Sequence, residues 1–479
     1  MRSTHRTLAL SIVAAMTAAA PYAQSSGPNL ELISLSSSGV QGDNDSEVAS
    51  ISADGRFVAF SSNADNLVPG DTNNAFDIFV RDRLNRTTER DSITFNGKET
   101  NGDSGFLNLM GAPSVSADGR FVAFASMASN LLRPNQPADT NGNSDVFVFD
   151  RSTGTTELIS AALDGTPATG QSPSISADGR FVAFLSSGSN LVANDTNFAD
   201  DIFVRDRVTQ ITERVSVASD GTAADQSSFG SPILSADGRF VAFNSFADNL
   251  VAGDVDTAAD VFVRDRKTGV TEAVSQPSNT DFQNRLLSSF SPNGRFVGFV
   301  SAAPSLVPGD ANGFVADAFV FDRQAHTLQI VSRNSAGAQG DDDTFSVFVS
   351  NDGRFAVFAS KADNFVANDT NFSADIFIRD LVSGVTRRVA HDEPGNRGFG
   401  FDIAITSVTP DALVVALVTR ADLLPSQPTP FFTDDAYVLD LRVGPPTSKD
   451  QCQNGGWQTF TEPPFTSQGQ CINFVSGRP

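Results

Sequence analysis

Short loops with oxygen-bearing side chains at alternating positions recur along this chain. Each has the pattern Asp-x-Asn-x-x-x-Asp or Asp-x-Asp-x-x-x-Asp. Carboxylate and amide oxygens at this spacing suit Ca²⁺, a hard cation that takes about six to eight oxygen ligands. The pattern therefore predicts calcium sites. The candidate ligands are Asp71, Asn73 and Asp77; Asp139, Asn141 and Asp145; Asp195, Asn197 and Asp201; Asp254, Asp256 and Asp260; and Asp369, Asn371 and Asp375.

The same loops have a second interpretation, which is structural. Asp and Asn side chains stabilise turns by accepting hydrogen bonds from nearby backbone N–H groups. No glutamate follows at the far end to supply a bidentate ligand, so the match to an EF-hand loop is partial. In the fifth repeat the spacing between the loop acids is longer. Of the loop pattern, the seventh repeat keeps only Asp434 and Asp435. Calcium binding and turn capping both remain open at the level of sequence.

These loops belong to a repeat that fills most of the chain. Its phrase is Ser-Ala-Asp-Gly-Arg-Phe-Val-Ala-Phe, and successive copies lie about 60 residues apart. A constant period predicts an array of similar units rather than a series of different domains. The turn residues of the seven copies are Asp54, Asp118, Asp178, Asp237, Asn293, Asp352 and, in a drifted copy, Asp411.

The third repeat predicts four strands. Asp178-Gly179 is a two-residue hairpin turn, because glycine readily adopts the positive φ that such a turn needs. Strands are expected at residues 174–176 before this turn and at residues 180–185, 201–207 and 211–216 after it. The strand at 180–185 is apolar on both faces, as expected of a covered strand. Repeated four-stranded antiparallel units with both faces covered are typical of β-propeller blades.

The two ends of the repeat array predict how the ring closes. Residues 30–35 match the fourth strand of a repeat, whereas the last repeat ends after its third strand, near Asp440. The N-terminal strand is therefore expected to complete the last blade, which leaves few free sheet edges. The predicted fold is all-β: a seven-bladed propeller of four-stranded antiparallel blades over residues 30–443.

Strand direction alternates, so the connections of each blade fall on two opposite faces. We call the end with the Asp-Gly turns and their arginines the turn face, and the end with the Asp-x-Asn loops (the Asp loops) the loop face. The turn face is expected to be partly basic and the loop face acidic. Phenylalanine supplies 40 residues against one Trp and two Tyr, and its fixed repeat positions predict core packing.

The segments outside the propeller predict export. Arg2 and Arg6 precede a short apolar run and then small residues up to Ala23, which is typical of a signal peptide over residues 1–23. The run is too short to span a bilayer, so a secreted or periplasmic chain is expected. Residues 444–479 form a C-terminal tail. Its Cys452 and Cys471 are expected to form a disulfide in an oxidising compartment.

The charge and composition of the chain limit the classes of partner that it is expected to bind. The formal net charge of −23 argues against nucleic acid and anionic membranes, which both need a basic face. A monomer that binds a protein or an extracellular ligand is expected. His326 and His391 are the histidines left after the signal peptide, and neither begins a catalytic cluster.

The repeat resembles the WD40-like blades of TolB-type propellers, whose phrase is roughly Ser-Pro-Asp-Gly-x-x-Ile-Ala-Phe followed by Asp-Ile-Tyr-Val. The matching residues include 176–184 with 201–204, and 350–353 with 375–378. The resemblance implies the propeller fold and fits binding modules, peptidase caps and envelope scaffolds. No α/β domain pattern precedes the repeats, so TolB's partner contacts are not transferred. The Cys and Gly-Gly-Trp457 tail resembles a short C-terminal motif of secreted bacterial proteins.

These observations favour a non-enzymatic binding or scaffold propeller whose partner docks on the loop face, with calcium as a candidate cofactor. The alternative is a glycan-type hydrolase or lyase that uses paired acidic residues at the propeller channel. A third hypothesis is an envelope scaffold similar to TolB. An enzyme needs one blade to differ from the others, and the seventh differs mainly by losing acids.

Overall fold

The computed structural model describes residues 29–106, 111–254, 258–274, 284–370, 373–390, 403–420, 423 and 433–442. The predicted signal peptide and the predicted pair Cys452 and Cys471 lie outside these ranges. So do Asp256 and Asn371 of the Asp loops. Within the described ranges, no helix is long and apolar enough to cross a bilayer.

The described residues contain 28 strands, which form seven antiparallel sheets of four strands each. The N-terminal strand and blades 1 to 3 contain β1 (Asn29–Leu32); β2 (Ser46–Ile51), β3 (Phe57–Ser62), β4 (Asp77–Asp82) and β5 (Thr87–Arg90); β6 (Ser114–Val115), β7 (Phe121–Ser126), β8 (Asp145–Asp150) and β9 (Thr155–Leu158); and β10 (Gln171–Ile175), β11 (Phe181–Ser186), β12 (Asp201–Asp206) and β13 (Ile211–Arg214). Blades 4 and 5 contain β14 (Ser228–Leu234), β15 (Phe240–Ser245), β16 (Asp260–Asp265) and β17 (Val270–Ala273); and β18 (Arg285–Phe290), β19 (Phe296–Ser301), β20 (Asp317–Asp322) and β21 (Thr327–Ile330). Blades 6 and 7 contain β22 (Thr344–Val349), β23 (Phe355–Ser360), β24 (Asp375–Asp380) and β25 (Val385–Ala390); and β26 (Ala404–Val408), β27 (Val414–Thr419) and β28 (Asp435–Asp440).

The ring closes as the sequence predicts. The N-terminal β1 pairs antiparallel with β28, with Leu30 opposite Leu439 and Leu32 opposite Tyr437. The closing seam also carries an ion pair, in which Arg83 Nε of blade 1 lies 2.9 Å from Glu31 Oε2 on β1. The same Arg-to-Glu contact joins blade 3 to blade 2, with 2.8 Å between Arg207 Nε and Glu157 Oε2. The closing seam is therefore built like an internal one.

The core lies between neighbouring blades, because each second strand is apolar on both faces. In β11, Val182 and Phe184 pack into a cluster with residues of blade 2, while Ala183 and Leu185 pack with residues of blade 4. Phe184 also stacks on Phe203 of β12, with 5.9 Å between ring centroids. The prediction that phenylalanine fills the core is confirmed at these positions.

The Asp-Gly turn has two requirements that explain the repeated phrase. Asp178 accepts hydrogen bonds from the Ser176 hydroxyl (2.7 Å) and from the Arg180 backbone N–H (3.0 Å). Gly179 has φ +74°, and a Cβ there would collide with the ring of Phe121 in the preceding blade. Glycine therefore serves both the turn conformation and the close packing of one blade on the next.

Candidate functional site

The Asp loop of blade 3 encloses an arginine. Arg214 lies on β13 opposite Phe203 of β12, which directs its guanidinium into the loop. Its Nη1 is 2.9 Å from Asp195 Oδ1 and 3.2 Å from Asp201 Oδ2. Asp201 also accepts hydrogen bonds from the Asn197 amide at 2.8 Å and the Ser216 hydroxyl at 2.6 Å. The guanidinium thus occupies the place between the two carboxylates.

Blades 1 and 6 repeat this arrangement. Arg90 Nη1 lies 2.8 Å from Asp71 and 3.2 Å from Asp77, with Glu99 at 3.3 Å. Burial nevertheless raises the pKa of Asp71 to about 7, because desolvation outweighs the attraction of Arg90. In blade 6, Arg388 Nη1 lies 2.6 Å from Asp369 and 2.8 Å from Asp375. In all three blades an internal cation holds the loop.

Blades 4, 5 and 7 supply a different donor to the equivalent carboxylate. In blade 4 it is the fully buried Arg285, on the first strand of the next blade, whose Nη1 is 3.3 Å from Asp260. In blade 5 the Gln339 amide donates to Asp310, Asn312 and Asp317 at 3.0, 3.3 and 3.1 Å. In blade 7 the Gln41 amide donates to Asp435 at 2.9 Å.

Blade 2 is the exception. The position of Arg214 is taken by Leu158, opposite Phe147 of β8. The position of Gln339 is taken by Pro167, as the equivalent bridges Arg333–Gln339 and Ala161–Pro167 show. Proline and leucine side chains have no hydrogen-bond donor. Blade 2 therefore lacks both of these donors.

In blade 2 the two loop carboxylates interact with each other instead of with an arginine or a glutamine. Asp145 shares a side-chain hydrogen bond with Asp139, and it accepts from the Asn141 amide (2.9 Å) and the Ser160 hydroxyl (3.1 Å). Burial, reinforced by the charge of Asp139, raises the pKa of Asp145 to about 7. Burial also raises the pKa of Asp139. Within the described chain, no Arg, Lys or Gln side chain donates to either carboxylate.

The predicted metal ligands thus come together in pairs, around a donor in most loops. No group of three or more His, Cys, Asp or Glu side chains within the described ranges is arranged to hold a metal ion. The Asn residues cap the loops as the structural interpretation expects: Asn141 Oδ1, for example, accepts the Asn143 backbone N–H at 2.7 Å. Calcium binding stays a prediction. The internal arginines were missed, although their spacing from the Asp loops is regular.

The inner strands of the blades surround a central cavity of about 430 Å³. Hydroxyl groups on these strands bridge neighbouring blades: Ser50 accepts the Val115 N–H at 3.2 Å, and Ser174 accepts the Leu234 N–H at 3.1 Å. Proline and apolar side chains complete the wall. None of the described lining residues carries an ionisable side chain.

The turn face was expected to be partly basic, and the arginines that follow its hairpin turns are paired with acids. Each arginine that follows a hairpin turn forms an ion pair with the Asp that ends the third strand of its own blade. Arg180, for example, donates from Nε (3.0 Å) and Nη2 (2.7 Å) to Asp206, and this hydrogen bonding lowers the pKa of Asp206. The other pairs are Arg56–Asp82, Arg120–Asp150, Arg239–Asp265, Arg295–Asp322 and Arg354–Asp380.

The loop face also carries exposed and half-buried aromatic side chains outside the fixed repeat positions that predicted core packing. Phe198, in the Asp loop of blade 3, is 99% exposed and has φ +56°. In blade 4, Phe229 and Phe246 are half-buried and stack with 4.7 Å between ring centroids. The equivalent positions in blades 1 and 2 are Asn74 and Gly142, which are ordinary turn residues, and in blade 6 Phe372, which lies outside the described residues.

No family model matches the chain, and no curated protein matches it in sequence. Solved structures match its fold. One is TolB from Acinetobacter baumannii, with 16% identity, 73% of this chain and 64% of that chain covered, and a TM-score of 0.37. Another is an oligogalacturonate lyase from Vibrio parahaemolyticus, with 12% identity, coverages of 87% and 97%, and a TM-score of 0.49. The propeller domain of the Trilobed protease from Pyrococcus furiosus matches with 12% identity, coverages of 83% and 95%, and a TM-score of 0.49. These similarities concern the propeller fold and carry no information on function.

Proposed function

We propose that the chain is a secreted or periplasmic propeller that binds a protein or other extracellular ligand on its loop face and performs no chemistry. The position of its ionisable groups carries this proposal. The Asp-loop acids of blades 1, 3 and 6 are engaged by arginines, and the described wall of the central cavity has no ionisable side chain. General acid–base catalysis needs an ionisable group within reach of the substrate. Among the described residues that line the central cavity, no side chain could play this part in the glycan hydrolase or lyase alternative.

Binding is favoured because the loop face presents acids at fixed positions. The exposed Asp43 accepts the backbone N–H of Asp65 at 3.0 Å, and the exposed Asp341 accepts that of Asp363 at 3.1 Å. Asp342 and Asp343 are exposed beside Asp341. Ordered carboxylates on a rigid frame favour and steer a partner of complementary charge. The TolB-like repeat is consistent with an envelope role of this kind.

We place the calcium hypothesis in blade 2. Bound Ca²⁺ would supply there the positive charge that Arg214 supplies in blade 3, with Asp139, Asn141 and Asp145 as its side-chain ligands. Calcium should raise the Tm of the wild-type chain, because a ligand that binds only the folded state stabilises it. The Asp145→Asn variant should lose this response, whereas Asp195→Asn in blade 3 should keep it. Identical melting curves in EDTA and in Ca²⁺ would exclude the cofactor.

Binding itself can be tested with the chain purified from the periplasm and immobilised for interferometry against envelope proteins and glycans. Asp341→Asn, Asp342→Asn and Asp343→Asn together should weaken binding, whereas Lys267→Gln on the turn face should not. The chain should elute as a monomer by light scattering. Turnover of a glycan or ester substrate that these acid substitutions abolish would overturn the non-enzymatic proposal.

A further inference from the structure

Phe198 combines two features that are unfavourable for a folded monomer. Its ring is 99% exposed, so it contributes almost nothing to the core. Its φ of +56° lies in the left-handed region, which bulky side chains rarely adopt. The equivalent residues Asn74 and Gly142 have φ values of 50° and 67° and are better suited to that conformation. Strain at an exposed aromatic residue points to binding, since the fold itself gains nothing from it.

The backbone that follows Phe198 is hydrogen-bonded to the start of blade 4. Two residues further on, Asp200 donates its N–H to the Ser227 hydroxyl (3.2 Å), and its carbonyl accepts the Ser228 N–H (2.7 Å). The next residue is Phe229, which stacks on Phe246. Asp225 lies just before this segment and is exposed. We call Phe198, Asp200, Asp225, Phe229 and Phe246 the aromatic–acidic patch.

The charge of this patch is negative. Arg214, the arginine inside the adjoining Asp loop, is already engaged by Asp195 and Asp201. Carboxylates beside aromatic rings attract cations in two ways, by direct Coulomb interaction and by the negative face of the ring. Arginine gains most from such a surface, because its planar guanidinium can stack on a ring while it donates hydrogen bonds to a carboxylate.

We propose that the aromatic–acidic patch binds an arginine- or lysine-bearing segment of a partner protein. This inference rests on the proposed function of the loop face and adds the location and chemistry of the contact. A second copy of this chain is a poorer occupant, because the turn-face arginines pair within their own blades, as Arg180 does with Asp206. Anionic lipids and nucleic acids would be repelled by Asp200 and Asp225.

The experiment uses the whole mature chain and a short fluorescent peptide of alternating Arg and Ser, with Lys, Gln and Glu versions. Anisotropy should report binding of the Arg and Lys peptides, weakened by salt, and no binding of the Gln and Glu peptides. Phe198→Ala should weaken binding of the Arg peptide about threefold. Asp200→Asn with Asp225→Asn should weaken it at least as much. Phe314→Ala is the matched control, since Phe314 is an exposed Asp-loop phenylalanine of blade 5.

The positive φ of Phe198 also predicts a change in Tm, which can be measured without the peptide. Replacing Phe198 by Asn, the residue of blade 1, should raise the Tm while binding of the Arg peptide falls. The Phe198→Trp variant, which keeps an aromatic ring, should bind the peptide as the wild type does. Equal affinities of the Phe198→Ala, Phe314→Ala and wild-type chains would overturn the inference. If the Asp341–Asp343 substitutions then still weakened binding, the proposed function would survive. Binding of the Gln peptide as tight as that of the Arg peptide, or self-association abolished by Phe198→Ala, would also overturn it.

Discussion

Blades 2 and 3 bury equivalent pairs of carboxylates, but the groups that face these carboxylates differ. In blade 3, Arg214 lies between Asp195 and Asp201. In blade 2, Leu158 replaces the arginine, and burial together with the charge of the neighbouring Asp139 raises the pKa of Asp145 to about 7. The strands that carry the two loops pair in the same register, with Leu158 and Arg214 at equivalent positions. Two blades of the same fold therefore differ in the cation that faces their carboxylates, and the residue at this position of the fourth strand supplies or withholds it.

The difference matters because a buried carboxylate is costly without a partner. An internal arginine places a cation between the two carboxylates of its loop. A loop that has neither this arginine nor another side-chain donor depends on a proton or on a cation from solution. The repeat supplies a rigid frame in both cases, and substitution at that one position decides which kind of loop the frame carries.

The largest effect is expected from removing the arginine of blade 3. Arg214→Leu should destabilise the chain by about 3–5 kcal/mol, because it leaves two buried carboxylates without their cation. Urea unfolding followed by circular dichroism measures this. Adding Asp195→Asn and Asp201→Asn should recover much of the loss. A loss no greater than that of substituting the exposed Arg86 would contradict the assigned role of Arg214.

The next effect is the pH dependence that Asp145 gives to blade 2. The pKa of Asp145 is raised to about 7 in the folded chain, so the stability it contributes is fully present below about pH 4 and is lost as pH rises through 7. Between about pH 5 and pH 8, Asp145→Asn should therefore gain about 2 kcal/mol relative to the wild type. Thermal melts at both pH values measure the gain.

Asp206 provides the control of opposite sign. Its pKa is lowered by its hydrogen bonds with Arg180, so its contribution is present above the unfolded pKa of about 4 and is lost on acidification. Asp206→Asn should lose stability at neutral pH, and the loss should shrink in acid. A pH-independent difference between Asp145→Asn and the wild type would show that Asp145 is ionised throughout this range.

A smaller gain is expected from giving blade 2 the arginine of blade 3. Leu158→Arg should raise stability at about pH 8 by about 1 kcal/mol, since the guanidinium can pair with both carboxylates, and it should abolish any response to Ca²⁺. Leu158→Met controls for the change of shape without the charge. Equal destabilisation by the two variants would show that the blade 2 loop cannot take up the blade 3 arrangement.

The smallest expected effect is the difference in stability lost when either of two equivalent buried hydroxyls is removed. Ser160 and Ser216 each donate to the equivalent carboxylate and accept a backbone N–H of the third strand. Each Ser→Ala substitution should cost about 1 kcal/mol. At about pH 8 the loss should be larger for Ser160→Ala by about 0.5 kcal/mol, because Asp145 has no arginine, and this difference should vanish near pH 5. A difference independent of pH would assign it to packing instead.

Much of the fold follows from local signals in the sequence. The Asp-Gly turns, the apolar second strands and the period of the repeat predict seven four-stranded blades, and residues 30–35 predict the closing strand, which β1 confirms. The candidate site was harder to predict from the sequence than the fold. The Asp loops were located correctly, but their partners come from other strands or the next blade, as Arg285 and Gln339 do.

The sequence by itself determined the repeat, the number of blades and the closure, because glycine turns and alternating apolar strands act over a few residues and recur at a constant period. Only the tertiary structure decided the charge of each loop and each face. Ion pairing is settled by which side chains meet across strands, so Arg180 pairs with Asp206, Arg214 pairs with the acids of one Asp loop and Leu158 leaves another without an arginine. Burial, a property of the folded chain alone, then turns those contacts into shifted pKa values.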